Sequence, residues 1–572
     1  MKATVASDAT IPEPRFDNLF RADPLGEALF GAWLGDAWGE LRPAFEALGA
    51  AGAQAQPLSA RADRFTPVLK THDGLGRRVD RIEYHPDYLA LEELAYGAGI
   101  VSRKYDPGFL AKHRARRHLT GFGAGYYFAQ TELGLYCPIC MTDGVGWVLE
   151  RYAPADLAGR VLPRLGHPDR ARRLRGAMFL TERQGGSDVG ANTVTARPFG
   201  LRWLLNGDKW FCSNVDAEAI LALARMPDGP AGTRGLGLFL ILREDPPGNG
   251  ASIRIHRLKD KLGVRSMASG EVTLENAEAH LIAGADEGFK RMAEMINLSR
   301  LYNAVASVAG LRRALLEALA YGAERRAFGQ RLWHLPLWRA GMADLMAEHL
   351  GALLLTFAAV RALDAAESGD GAAAKEVRLL IPLAKALTGK LGVFGVSEAM
   401  EAIGGNAYIE DSILPRLLRD VQVLPIWEGT THILTLDVLR ALERERCHEA
   451  FCDRIQRALA ATPPEALGGH ALHRAVEERV RHDTELLRTL EKAAPDARQR
   501  GMRQWLESAG RTLMLALLVE AASLPALREP CLAAFRRMQA RPHAVMPLVS
   551  VAAAALEDTE EALLRAGYAA PG

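Results

Sequence analysis

The spacing of apolar positions divides the chain into four stretches of different texture. Residues 1 to about 175 carry mostly helical period. In Asp23-Pro-Leu-Gly-Glu-Ala-Leu-Phe, Asp23 is placed to cap a helix that starts at Pro24. His85-Pro-Asp-Tyr-Leu-Ala-Leu-Glu-Glu-Leu-Ala-Tyr likewise has Pro in a first turn and an apolar stripe after it. Residues 50–80 read as a polar, glycine-containing connection. From about 176 to 283 the period shortens to that of strands. Arg202-Trp-Leu-Leu-Asn-Gly-Asp-Lys-Trp-Phe predicts a hairpin, because Asn206-Gly207 suits the positive φ angles of a type I′ turn. Residues 237–242 form a short apolar run. Ile253 and Ile255 alternate with Arg254 and His256, and Val272 and Leu274 alternate with polar neighbours. Several short strands with turns between them predict a small β-barrel or sandwich.

Helical period returns at about 284. Val308, Leu311, Leu315 and Leu319 are three or four apart, as are Met346, Leu350, Leu353, Phe357 and Val360. Four long helices in an antiparallel bundle are expected up to about residue 440. Residues 441–572 are helical by composition, broken at Pro463-Pro464, and read as an appended domain. The predicted class is α+β and multidomain: an N-terminal helical domain (1–175), a β domain (176–283), a four-helix bundle (284–440) and an additional helical domain (441–572). A β insert of about 100 residues between helical halves restricts the fold far more than helices alone.

Composition changes this picture little. With 572 residues, more than one domain is expected. A net charge of +1 excludes a global field drawing the protein to nucleic acid or membrane, so such binding needs a local patch. Residues 1–14 contain no apolar core of a signal peptide. The longest apolar runs, such as residues 546–556, are too short for a bilayer. The expectation is a cytoplasmic protein with no membrane partner. Six scattered cysteines fit a reducing compartment. Cys137-Pro-Ile-Cys140 has no second Cys/His pair at a metal-site spacing and no strand before it, so it reads as structural and no metal is expected.

Two stretches carry candidate chemistry. Thr181-Glu-Arg-Gln-Gly-Gly-Ser-Asp188 offers hydroxyls and close backbone approach to a polar cofactor, although alone such a stretch is more often a turn than a site. Trp210-Phe-Cys-Ser-Asn214 sets aromatics beside a hydroxyl, suiting a flat ring, or simply packing in a core. These belong to a longer ordered set: Lys259-Asp-Lys-Leu-Gly-Val-Arg-Ser266, Glu324-Arg-Arg-Ala-Phe-Gly-Gln330, Gly404-Gly-Asn-Ala-Tyr408 and Trp427-Glu-Gly-Thr-Thr431. The set resembles the acyl-CoA dehydrogenase superfamily over residues 85–440. Arg77-Arg-Val-Asp-Arg-Ile-Glu-Tyr-His-Pro86, Leu135-Tyr-Cys-Pro-Ile-Cys-Met141, Leu436-Asp-Val-Leu-Arg440 and the extra domain are similar to its AidB-type branch.

The resemblance implies a homotetramer with one FAD per subunit, held between the β domain and the bundle, and an acyl-CoA-like substrate. Carried over position by position, Met178, Thr181, Gly185, Gly186, Ser187, Phe211, Cys212, Ser213, Ile426, Trp427, Gly429, Thr430 and His432 match segments that line FAD. His432 departs from the amide usual there. Arg325 and Phe328 match positions reaching a neighbouring subunit's flavin diphosphate, which a guanidinium can grip with two hydrogen bonds. Gly404 and Gly405 match a loop near the same cofactor.

Glu428 is the implied base, removing the α-proton of a thioester, and Trp427 and Ile426 are expected to desolvate it. Some relatives place the base just before an arginine on an early bundle helix. Here that position is Ser299, before Arg300. The AidB type also implies double-stranded DNA binding through the extra domain and protection from alkylation damage. Arg440, Arg536, Arg537 and Arg541 are the candidates, although solvated helix faces of an arginine-rich protein would look the same. Two other readings remain open: an ordinary acyl-CoA dehydrogenase whose extra domain serves assembly, and a non-catalytic flavin-stabilised scaffold. A basic run at residues 103–117 has no family role.

Overall fold

The computed structural model describes residues 11–540. Arg541 and the apolar run 546–556 lie outside the described residues. The chain divides into two compact units, Met1–Leu335 with Gly395–Leu424, and Pro336–Phe394 with Pro425–Gly572.

In the first unit the helices are α1 (Pro24–Leu34), α2 (Trp38–Arg64), α3 (Pro86–Gly97), α4 (Pro107–His113), α5 (Arg117–Ala129), α6 (Leu133–Tyr152) and α7 (Ala155–Val161). Both predicted starts are present: Asp23 accepts from Gly26 N ahead of Pro24, and His85 caps Pro86. The expected connection at 50–80 is instead the second half of α2 and an antiparallel hairpin, β1 (Val68–His72) with β2 (Arg78–Glu83). The glycines there serve packing. A Cβ on Gly52 would lie 2.5 Å from Tyr127 O, so α2 lies directly against α5. The cysteines of 137–140 are buried thiols inside α6, and Cys140 Sγ donates to Ser299 Oγ at 3.4 Å. The basic run is spent within this unit: Lys104 pairs with buried Asp143, Arg116 with Asp36 at 2.6 Å and Arg117 with Glu150 at 2.8 Å.

Seven strands follow: β3 (Gly176–Phe179), β4 (Thr195–Phe199), β5 (Arg202–Ser213), β6 (Ala219–Arg225), β7 (Leu236–Leu242), β8 (Ile253–Leu258) and β9 (Ser269–Ala283). The order β6-β4-β5-β9-β7 closes because β7 also pairs with β6, and β3 and β8 add to β6 and β9. The result is a barrel filled by Phe179, Leu205, Ile220, Phe239, Ile253 and Val272. The hairpin expected at Asn206-Gly207 is absent. β5 runs straight through it, with Gly207 at φ 130° beside an irregularity in its register with β9. The turn lies earlier, at Gly200 and Leu201, where Phe199 pairs with Arg202. Strand pairing on both sides of β5 outweighs the local preference of Asn-Gly.

After the barrel, α8 (Gly288–Glu324) packs on α5 and α6, and α11 (Ile413–Val421) packs on α8. Tyr302 of α8 donates to Asp143 Oδ2 at 2.8 Å, tying α8 to the same carboxylate that holds Lys104. In the second unit are α9 (Pro336–Glu367), most of α10 (Gly371–Ile403), α12 (Thr431–Glu445), α13 (Cys447–Ala460), α14 (Ala471–Lys492), α15 (Pro495–Ala521) and α16 (Arg528–Ala540). The expected quartet of long helices resolves into three, α8 to α10, with two shorter segments, α11 and α12, after them. In the second unit α15 is the central helix, touching α9, α12, α13, α14 and α16. Helices α9 and α10 are long and apolar enough to cross a membrane, against the expectation that no run was. Each candidate window is 83% buried within the protein, as in a core helix.

Candidate functional site

The first unit brings several candidate residues together around the ends of β3 and β5. Met178 lies in β3, and just beyond it Trp210 N donates to Thr181 O at 2.9 Å. Between them sits a pair not singled out in the sequence. Lys209 Nζ donates to Glu182 Oε1 at 2.8 Å with both side chains essentially excluded from water. Glu182 also accepts from Thr193 N, Thr193 Oγ1 and Val194 N. Burial raises the Glu182 carboxyl, but Lys209 and these donors outweigh it and hold the group below its ordinary value. Burial pulls Lys209 below the usual amine range despite Glu182. The sequence signal was an inward-facing Lys in a barrel strand, which requires a carboxylate.

Strand alternation then sorts the next residues. Phe211 (59% exposed) and Ser213 share the outer face, while Cys212 points into the barrel core, where burial pushes its thiol well up. Only the backbone of Cys212 is therefore available to a ligand on the outer face. Gly185 has φ 119° and open space where a Cβ would sit, and a Cβ on Gly186 would lie 2.6 Å from Thr181 Oγ1. Ser187 is exposed. An exposed aromatic flanked by hydroxyls and a bare glycine backbone fits a flat, polar-edged heterocycle such as a flavin.

The β8–β9 connection borders this wall. Lys259 Nζ lies 3.4 Å from the Trp210 ring centroid, and Asn214 N donates to Ala268 O. Ser213 Oγ and Ser269 Oγ are 3.2 Å apart, and Lys261 Nζ donates to Ser269 Oγ at 3.1 Å and Met267 O at 2.6 Å. On its other side the loop is pinned to α11. Val264 adopts φ 49°, costly for a β-branched residue, and its N–H donates to Asp420 Oδ1 at 2.6 Å. Burial pushes the Asp420 carboxyl up to about 7, against the opposing pull of Arg416.

The end of α8 holds another group. The strands β10 (Arg326–Ala327) and β11 (Gln330–Arg331) form a hairpin whose tip is Phe328 (φ 53°) and Gly329 (φ 79°). This two-residue turn sets a 91% exposed phenylalanine in a left-handed conformation. Arg325 caps α8. Asn406, following Gly404 and Gly405, donates to Tyr321 OH at 2.9 Å, so the glycine loop sits at this same helix end.

The remaining candidates belong to the second unit. Glu428 (φ 56°) and Gly429 (φ 98°) are both left-handed and lead into Thr430, whose side chain caps α12 at Ile433 N. Buried Lys385 of α10 donates to Gly429 O, fixing this turn. Trp427 Nε1 is buried without a hydrogen-bond partner. Glu428 is half-buried, but Ile426 is 60% exposed, so the desolvation expected from Ile426 is not present in the single chain. His432 is exposed on α12. Of the DNA candidates, Arg440, Arg536 and Arg537 are among the described residues. Arg537 pairs with Asp344 at 2.6 Å and Arg440 lies 3.6 Å from Asp437. Arg498, Arg503 and Arg511 pair with Glu443, Glu507 and Glu348. Arg536 is exposed.

Three families match in order along the chain: the adaptive response protein AidB N-terminal domain (residues 11–169), the acyl-CoA dehydrogenase middle domain (177–277) and the acyl-CoA dehydrogenase C-terminal domain (286–443). Acyl-CoA dehydrogenase family member 11 of Caenorhabditis elegans is 35% identical over 72% of this chain and 68% of its own length. The putative acyl-CoA dehydrogenase AidB of Escherichia coli K12 is 35% identical over 69% of this chain and 72% of its own. The chain belongs to the acyl-CoA dehydrogenase family. Its fold is shared with C. elegans ACDH-11, solved in complex with C11-CoA, at a TM-score of 0.90 and 29% identity, over 98% of this chain and 97% of that one. That similarity includes the helices after α12, which lie beyond the C-terminal domain family's match at residue 443.

Proposed function

We propose that this protein is an acyl-CoA dehydrogenase that oxidises an acyl-CoA thioester to its α,β-unsaturated form, with Glu428 as base. FAD is the cofactor, and when bound it supplies the two-electron acceptor. Phe211, Ser213, Thr181, Ser187 and the open backbone at Gly185 are the residues of the barrel that would hold it. Glu428 takes the proton made acidic by the neighbouring thioester carbonyl. The observation that carries this reading is the near-complete likeness to a protein solved with C11-CoA. A medium-chain acyl-CoA is accordingly the first substrate to test. Anaerobic mixing of flavin-loaded protein with acyl-CoAs of graded length should bleach the flavin. No bleaching with any acyl-CoA would remove the enzymatic reading and leave the scaffold.

We further propose a homotetramer, for which the strained and exposed Phe328 is the supporting feature, since a single chain gains nothing from that conformation. Duplex DNA binding and a role in alkylation response are the weaker reading. Arg440, Arg498, Arg503, Arg511 and Arg537 pair with carboxylates of their own unit, which reduces the charge they offer to phosphates. Each phosphate contact should contribute about −0.9 to the log–log salt slope. A gel shift at low salt that shows no complex with duplex DNA removes that reading and leaves the dehydrogenase.

A further inference from the structure

We propose that Lys261 is a positioning residue for the flavin: through Ser269 it orients the hydroxyl of Ser213 so that its proton is offered outward to an acceptor atom of the isoalloxazine ring. The inference rests on the proposed placement of FAD against the outer face of β5.

The direction of the chain follows from its members. An ammonium has only donors, so Ser269 Oγ must accept from Lys261 Nζ, 3.1 Å away. The Ser269 proton is then free to go to Ser213 Oγ at 3.2 Å, where the two serines face each other across β5 and β9. With its oxygen accepting, Ser213 has its own proton to give. Its side chain lies on the outer face with Phe211, opposite to Cys212, so the donor points away from the barrel core. A chain that begins at a cation is polarised along its length, and its terminal donor is stronger than an isolated serine. Such a donor stabilises negative charge on the reduced ring, which raises the reduction potential.

The loop is built to hold Lys261 in place. Its second hydrogen bond, to Met267 O at 2.6 Å, closes the loop on itself. Asp420 holds Val264 in its left-handed conformation, and Ser266 Oγ donates to Glu132 Oε1 at 2.8 Å. The groups facing the Lys261 amine are Cys137 of α6, Asp420 of α11, Asp63 of α2 and Arg265 of its own loop. Burial is the larger influence and brings the amine down to about 8.

The test uses flavin-loaded protein and reads the midpoint potential and the visible spectrum of the flavin. Lys261→Met keeps length and removes the charge. It should retain FAD and shift the reduction equilibrium about tenfold against the reduced form, or about 30 mV for a two-electron couple. Lys261→Arg should restore the potential. Wild type should show a step in the flavin spectrum near pH 8 that both variants lack, because neither methionine nor arginine titrates there. A flavin-loaded Met variant with the wild-type potential and pH profile overturns the inference alone. Where the Met variant does not fold, Ser269→Ala carries the test: it breaks the chain, leaves the lysine, and should lower the potential likewise. An unchanged potential there overturns the inference too. A wild-type protein that takes up no FAD overturns the functional reading and this inference with it.

Discussion

Lys209 Nζ and Glu182 Oε1 meet at 2.8 Å in a place almost closed to water, and between them they tie the segment after β3 to β5. Glu182 follows Thr181 directly, and Lys209 precedes the Trp210 whose N–H bonds Thr181 O. Removing one partner strands the other as a buried charge, at a cost of about 3–5 kcal/mol. Lys209→Met should therefore lower the melting temperature and FAD retention together. Replacing both partners, as in Glu182→Leu with Lys209→Met, should recover part of the stability. Because the Glu182 carboxyl is held below its unfolded value, its stabilisation is present above about pH 4.5 and is lost as pH falls through the folded value. Thermal melts of the three proteins from pH 4 to 7 check both points. A double variant no more stable than Lys209→Met alone would speak against the pair.

How much of this was legible follows the range of each cause. Asp23 and Pro24 announced a helix because a cap is decided within four residues. Asn206-Gly207 misled because pairing with β4 on one side and β9 on the other carries β5 straight through it, and the turn is made earlier, at Gly200 and Leu201. Gly52 read as a loop residue although it is where α2 touches the backbone of α5. The candidate cofactor residues were readable as an ordered set of motifs, but Cys212 faces the core, a matter of strand parity. Lys261 was visible only as part of the Lys259–Ser266 motif, while Ser269 and Asp420 were not singled out, since their meaning lies in a loop meeting a helix about 150 residues later.

Asp420 makes a prediction of opposite sign. Its folded value, about 7, lies above the unfolded one near 3.8. Its contribution is thus full below the unfolded value and is lost as pH rises through 7. Asp420→Asn keeps an acceptor for Val264 N without the charge. Its stability relative to wild type should rise steadily between pH 4 and pH 8. Parallel stability curves for the two proteins across that range would show that Asp420 is not carrying this cost.

Phe328 separates assembly from folding. Asparagine tolerates the left-handed region better than phenylalanine, so Phe328→Asn should relieve strain of order 1 kcal/mol in the single chain. Light scattering should nevertheless show a smaller assembly, with weaker FAD retention. A variant that stays fully assembled with full flavin places this hairpin away from any subunit contact.

Glu428 is the most direct prediction. It sits with positive φ between Trp427 and Gly429, in a turn held by Lys385 on Gly429 O and by the Thr430 cap of α12. That backbone is set by neighbours that Glu428→Gln does not touch, so the variant should fold and retain FAD. The amide keeps the shape but cannot take a proton. Loss of a positioned base commonly costs about 10²–10⁴ in rate. Stopped-flow bleaching by the best acyl-CoA should fall by at least that lower bound, and exchange of the α-hydrogen with solvent deuterium should fall with it. Retained binding of the same acyl-CoA, read by a shift in the flavin spectrum, would assign the loss to proton transfer. Bleaching at the wild-type rate would mean that another group takes the proton. Ser299, a neutral hydroxyl with no carboxylate to accept the proton, could not replace it.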